Sequence, residues 1–295
     1  MTPIIQLNNV HFQIKPHFWS RSFEILKGVS MQVPKGSLYG FLGPNGAGKT
    51  TTLKTILGLL QPTKGHISIM EGSIKDPVIR QKIGFTPEHP VFPEHLSGQE
   101  FVLQHALLAG LSRKEAAVAV DKALEEVNLR DASRRKIRTY SKGMLQRTGL
   151  AQALIGKPQL VLFDEPMGGV DPVGRREIRE IMLRLKEKGT TVLFSTHILP
   201  DVEMICDYVG ILVNGEIKKT GTPEELRSEL QNKIELVALF DEKQSIDMLQ
   251  TPHSIQGQQV VFHVESSKKA NELIDKCRGL NATIHSVVPL SPSLE

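Results

Sequence analysis

Residues Gly43–Thr50 read GPNGAGKT, preceded by the apolar run SLYGFLG (Ser37–Gly43) and followed by GKTTTLKTILGLL (Gly48–Leu60). The first flank is predicted to be a buried strand and the second the helix after it. Between them lies a complete G-x-x-x-x-G-K-[ST] pattern, the phosphate-binding loop of P-loop NTPases. Its glycines let the backbone wrap closely, so that N–H groups point at phosphate oxygens, and the helix beginning near Lys49 adds its positive dipole end. Lys49 is expected to reach the β- and γ-phosphates and the Thr50 hydroxyl to bind Mg²⁺. Gly43, Asn45, Gly46, Ala47, Gly48, Lys49, Thr50 and Thr51 are the expected contacts to ATP. A glycine-rich connector without a ligand is the alternative, and the full motif between strand and helix weighs against it.

Two further apolar runs end in polar groups. QLVLFDEP (Gln159–Pro166) closes on Asp164 and Glu165, and GTTVLFSTH (Gly189–His197) closes on a histidine. Strands alternating with helical patterns predict a largely parallel, covered sheet. Ligands of such sheets bind beyond the carboxyl ends of the strands, where all three polar clusters fall. Phosphoryl transfer needs a metal to neutralise charge and a group to orient the attacking water. Asp164 is therefore expected to hold Mg²⁺, and Glu165 to orient and activate the water beside His197. A DE pair or a lone histidine is ordinarily structural; a P-loop on the same chain reverses that weighting.

A long helical stretch, roughly Leu96–Ala153, interrupts the α/β pattern and is predicted to be an inserted subdomain (about residues 90–155). After TGTPEEL (Thr220–Leu226) the pattern changes. Lys233–Phe240 and Val260–Val264 are predicted strands, Lys268–Cys277 a helix and Thr283–Val288 a last strand. The expected organisation is an ATPase domain over residues 1–228 and a small α+β, ββαβ-like appendage over residues 229–295.

Five motifs occur in the order found in ABC ATPases: GPNGAGKTT, YSKGMLQR (Tyr140–Arg147), LVLFDEP, GGVDP (Gly168–Pro172) and STH (Ser195–His197). Over roughly Ile4–Leu226 the chain resembles that family, and five motifs together are specific. The resemblance implies a P-loop NTPase core of ABC type that works as an ATP-sandwich dimer. It also implies that Ser141 and Gly143 belong to the signature loop capping the nucleotide of the other subunit, and that Asp171 communicates across the dimer. Leu96-Ser97-Gly98-Gln99 imitates a signature sequence but lies too early; Ser97 with Glu100 reads as a capping box.

Three positions depart from the family pattern. Lys142 and Met144 replace Gly and Gln in the signature, a form resembling bacterial exporter ATPases of the drug, polysaccharide and sodium-extrusion type. Glu88, in Thr86-Pro87-Glu88, replaces the glutamine of the Q-loop; it keeps an oxygen for Mg²⁺ or water and loses the amide donor. The aromatic that stacks on adenine is assigned to Phe12, with Phe18, Trp19 and Phe23 in the inserted KPHFWSRSF segment as alternatives.

The net charge of +4, from 36 basic and 32 acidic side chains, gives no footprint for nucleic acid. The start MTPIIQLNNV lacks a signal-peptide pattern and no apolar run reaches spanning length. Cys206 and Cys277 suggest neither a disulfide framework nor a metal site. The resemblance implies a peripheral subunit at the cytoplasmic face of the inner membrane, bound to an integral membrane permease and paired with a second copy of itself or a paralogous ATPase. Export is the implied direction. Val91 and Phe92, in the Pro90–Pro93 loop, are the expected docking patch for the permease. A soluble ABC ATPase of DNA repair or translation is the alternative; such proteins usually carry two cores, a coiled-coil insertion or zinc-binding cysteines, none of which this sequence shows.

Overall fold

The computed structural model describes residues 2–15, 19, 22–230, 234–240, 251, 253–256, 259–264, 267–280 and 282–289. Contacts divide the chain into two units, Met1–Pro223 and Glu224–Glu295.

The centre of the first unit is a six-stranded sheet, built from the continuous apolar runs that period-2 alternation cannot explain. Strands β3 (Leu38–Leu42), β6 (Leu160–Asp164) and β7 (Thr191–Thr196) are buried at every position. A strand covered on both faces belongs in the interior of a parallel sheet. With β5 (Ile83–Thr86), β8 (Tyr208–Val213) and β9 (Glu216–Gly221) the order is β5-β6-β7-β3-β8-β9. All pairings are parallel except β8 with β9. Helix α1 (Lys49–Ile56) leaves β3 through the glycine loop, and α6 (Pro172–Glu187) follows β6.

A second sheet, antiparallel in the order β2-β1-β4, flanks the first: β1 (Pro3–Ile14), β2 (Phe23–Pro34) and β4 (Lys64–Ile69). Sequence periodicity does not reveal it, because register shifts break the alternation along β1 and Asn9 sits at φ 49°. Ile5, Leu7, Val29 and Val33 from this sheet join Phe41, Leu53 and Leu193 in one buried cluster.

The helical insertion contains α3 (Gly98–Leu108), α4 (Arg113–Glu126) and α5 (Lys142–Ala153). Ser97 caps α3: its Oγ accepts from Glu100 N at 3.2 Å, and Glu100 returns a carboxylate to Ser97 N at 2.6 Å. The Ser97-Gly98-Gln99 stretch is thus a helix start. These bonds, with Lys136 at 3.2 Å, hold the Glu100 carboxyl down to about 2. Ser112 and Glu115 repeat the device on α4. Helix α5 is tied to the central sheet, since Thr86 Oγ1 donates to Gly149 O at 2.9 Å.

The second unit is a four-stranded antiparallel sheet in the order β11-β12-β10-β13, with β10 (Ile234–Leu239), β11 (His253–Gln256), β12 (Gln259–Val264) and β13 (Thr283–Pro289). Helix α9 (Ser267–Gly279) buries Ala270, Leu273 and Cys277 against Leu236, Ala238 and Phe262. The edge strand β11 is additional to the ββαβ expectation; four residues at a sheet edge carry too little apolar period to be read from sequence. Helix α8 (Pro223–Leu230) begins where the two units divide. Among the described residues, no helix is long and apolar enough to cross a membrane.

Candidate nucleotide site

The loop from Gly43 to Gly48 is held at both ends by backbone bonds: Gly43 N donates to Thr196 O at 3.2 Å and Gly215 N to Ala47 O at 3.0 Å. Glycine is required twice over. A Cβ on Gly43 would stand 2.3 Å from Leu212 O, and Gly48 turns the chain into α1 at φ 106°. Lys49, 6% exposed, folds its ammonium back to Gly43 O at 2.7 Å and Pro44 O at 3.2 Å.

The carboxylates come from the end of β6. Asp164 is 2% exposed and its Oδ1 accepts from Ser195 Oγ at 2.6 Å. Glu165 follows at φ 45°, in the left-handed region that few side chains adopt. That turn ends the strand and aims Glu165 across the loop. Ser195 Oγ accepts the Glu165 N–H at 2.9 Å, so one buried hydroxyl anchors both acidic residues. Glu165 Oε1 lies 3.1 Å from Lys49 Nζ, an ion pair without hydrogen-bond alignment. Its Oε2 lies 3.0 Å from Nδ1 of His197, just beyond β7. Lys49, Glu165 and His197, expected from three separate motifs, therefore form one chain of contacts.

A cavity of about 570 Å³ is lined by Asn45, Gly46, Gly48, Lys49, Thr50 and Thr51 together with Glu88 and Glu165; Asp164 and His197 are not among its lining residues. Gly43 and Ala47 frame the loop without lining the cavity; the Ala47 side chain is part of the buried core. Glu88 is fixed through its backbone, where Gln146 Nε2 of α5 donates to Glu88 O at 3.3 Å. Among the described residues no group of three or more His, Cys, Asp or Glu side chains could by itself hold a metal. Of the expected donors, all hard oxygens, the Thr50 hydroxyl and the Glu88 carboxylate line the cavity, while the buried Asp164 is bonded through Oδ1 to Ser195. So few protein ligands suit Mg²⁺, which keeps several waters and shares the rest of its sphere with substrate phosphates.

The aromatic residues expected at adenine fall in different places. Phe12 packs against the core of the first unit, opposite Leu26 in the β1–β2 ladder, and does not line the cavity. Phe23, 67% exposed, does line it. Trp19 is exposed and is not among the lining residues; Phe18 lies outside the described residues. Glu24, Ile25, Lys27 and Asn214 also line the cavity and were not anticipated, because no motif marks them. Ser195 was visible only as the first letter of STH.

Ser141, Gly143 and Asp171 do not line the cavity. Ser141 is the N-cap of α5, accepting from Met144 N at 3.3 Å, and Asp171 is the N-cap of α6, accepting from Gly174 N at 2.9 Å. The two helix starts adjoin each other: a Cβ on Gly143 would meet Val170 Cγ1 at 3.4 Å. Lys142 lies over Gly169, where any side chain would collide with its ammonium.

A profile of the family described as "ABC transporter" matches residues 26–168. An uncharacterised ABC transporter ATP-binding protein of Synechocystis sp. is 38% identical over 281 residues, covering 94% of this chain and 78% of the relative. A linearmycin resistance ATP-binding protein of Bacillus subtilis is 38% identical over 208 residues, covering 70% of this chain and 67% of the relative. Among solved structures, a dimeric ATP-binding cassette in a post-hydrolysis state, bound to ADP and phosphate, superposes with a TM-score of 0.67. It is 26% identical, covering 74% of this chain and 98% of the other.

Proposed function

This chain belongs to the ABC transporter family of ATP-binding proteins, and on that premise we propose that it drives export through a separate membrane permease, as one half of a dimer closing over two nucleotides. Its chemistry is that of the family, hydrolysis of ATP to ADP and phosphate. The observation that carries the reading is the run of contacts Lys49–Glu165–His197 beneath the glycine loop.

In this reading the triphosphate lies along the loop N–H groups, and the Lys49 ammonium exchanges Gly43 O for β- and γ-phosphate oxygens. The Thr50 hydroxyl, with Asp164 and Glu88, would hold Mg²⁺, which would supply positive charge to neutralise the phosphates. Glu165 accepts a hydrogen bond from the attacking water. The water oxygen bonds to the γ-phosphorus, the bond to the β–γ bridging oxygen breaks, and the water proton passes by way of Glu165 to the products. His197 holds the second carboxylate oxygen of Glu165 and so fixes its rotamer. Ser195 restrains the same group from the backbone side.

Ser141 and Gly143 cap the nucleotide of the other subunit, and Asp171 communicates across the interface. Their absence from the lining of their own cavity supports a site completed by a second chain, either another copy or a paralogous ATPase. The relative named for linearmycin resistance, together with the SKGM form of the signature, favours export. Docking of the permease is assigned to the Pro90–Pro93 loop, where Val91 is 91% exposed. Phe92 serves it from beneath, packed edge-on to Phe101 at 5.0 Å. The chain then sits on the cytoplasmic face of the membrane through its permease, with no role for nucleic acid. We assign residues 229–295 a dimerising or regulatory role.

The test uses Glu165→Gln. The variant is expected to retain ATP while turnover falls by about 10²–10⁴, and to bring down a polytopic membrane protein from detergent-solubilised native membranes in the presence of ATP. Near-normal turnover would remove Glu165 from its role. Recovery of soluble partners alone would overturn the transporter reading.

A further inference from the structure

The cavity that Lys49 and Thr50 line is lined also by Phe23, Glu24, Ile25, Lys27 and Asn214. Consecutive strand residues normally face opposite sides. A bulge brings these together: Phe12 pairs with Leu26 but Gln13 with Glu24, leaving Ile25 as the extra residue.

Glu24 is held in place. Its Oε1 lies 2.8 Å from His11 Nδ1, and His11 Nε2 lies 3.2 Å from Asn9 Oδ1. The imidazole rests over Gly28, at φ +80°, where a Cβ would stand 2.8 Å from Asn9 Oδ1 and 3.4 Å from the ring. The hydrogen bond from His11 keeps the Glu24 carboxyl below its ordinary range. The group is therefore an anion at neutral pH, able only to accept hydrogen bonds. Within the protein that charge is met by His11, Gln13 and Lys27; of the groups on a nucleotide it repels phosphate and can accept from an N–H or O–H.

We propose that Glu24, oriented by His11, is a specificity-determining acceptor for the nucleoside of ATP, taking a hydrogen bond from the adenine 6-amino group or a ribose hydroxyl. The inference rests on the ATP-binding reading above and adds selectivity within the same site. A carboxylate attracts an N–H or O–H and repels a carbonyl. Adenine presents an amino group at position 6, where hypoxanthine and guanine present an oxygen.

The experiment measures dissociation constants on the full chain by displacement of a fluorescent ATP analogue. ATP, ITP and 2′-deoxy-ATP are compared in wild type, Glu24→Ala, Glu24→Gln and His11→Gln. Wild type is expected to bind one analogue about five- to tenfold more weakly than ATP. Glu24→Ala is expected to bring that ratio close to one by weakening ATP. Glu24→Gln, which keeps an acceptor, and His11→Gln, which only loosens the carboxylate, are expected to fall between. A deficit with ITP identifies the amino group; a deficit with 2′-deoxy-ATP identifies the hydroxyl. Ratios unchanged by Glu24→Ala for both analogues would overturn the proposal while leaving ATP binding intact. Failure of wild type to bind any triphosphate would instead overturn the ATP reading beneath it.

Discussion

Replacing Ser195 by alanine removes one oxygen and two hydrogen bonds at once. The hydroxyl is fully buried, accepts the Glu165 N–H at 2.9 Å and donates to Asp164 Oδ1 at 2.6 Å. Losing a bond to an ionised acceptor costs about 1.5–3 kcal/mol, and a buried N–H left without a partner about 1–3 kcal/mol. Some relaxation is available, so the sum is set at about 2–4 kcal/mol. For a unit of this size each kcal/mol lowers Tm by about 2–4 °C, giving a fall of roughly 5–15 °C in a calorimetric scan of the first transition. The functional effect has a separate origin. Glu165 holds a left-handed backbone that is unfavourable for its side chain, and the Ser195 bond is what pins it. Without it the carboxylate drifts from His197 and Lys49, and kcat is expected to fall by at least about tenfold while ATP affinity, set by the glycine loop, stays within about threefold. A variant with Tm within about 2 °C of wild type and unchanged kcat would refute the anchoring role.

Lys49→Ala should weaken ATP binding by about 10–100-fold in calorimetric titration, through loss of charge-assisted bonds to phosphate; unchanged affinity would sink the loop assignment. Glu88→Gln should restore an amide donor and change the ratio of permease-stimulated to basal ATPase rate, while ATP affinity moves less than about threefold. A large loss of affinity would contradict the coupling role. Glu100→Gln removes a carboxylate whose folded-state pKa is depressed from 4.5 to about 2. The stability it contributes is present above about 4.5 and lost as pH falls towards about 2. The Tm gap between variant and wild type should therefore be constant at neutral pH and close on acidification; a gap that widened would refute the capping account.

What could be read from sequence follows from how local the physics is. Asp164 ends a buried strand, Glu165 and His197 come directly after one, and Lys49 follows one across the glycine loop, so placing the strands places these groups at one edge of the sheet. Phe23 could be named only as one of several aromatic candidates, because the bulge at Ile25 beside it is a property of pairing between β1 and β2 and has no mark in either strand alone. The β2-β1-β4 sheet was missed for the same reason: its register shifts erase the period that would have announced it. Phe12 stands opposite Leu26 and packs partly buried against the core, a placement set by strand pairing that its position in the chain does not reveal. The capping box at Ser97 was legible because both partners lie within one helical turn.

The left-handed backbone at Glu165 also bears on how such chains decay. A conformation that costs about 1–3 kcal/mol in a non-glycine residue is a standing pull toward glycine or asparagine at that position. Either replacement relaxes the turn and abolishes the carboxylate together, so stability and turnover are opposed at a single codon. Copies of this chain released from selection for hydrolysis should drift there early. A duplicated subunit carrying such a change would persist as a well-folded, non-hydrolysing partner, a ready route from a symmetric dimer to an asymmetric one.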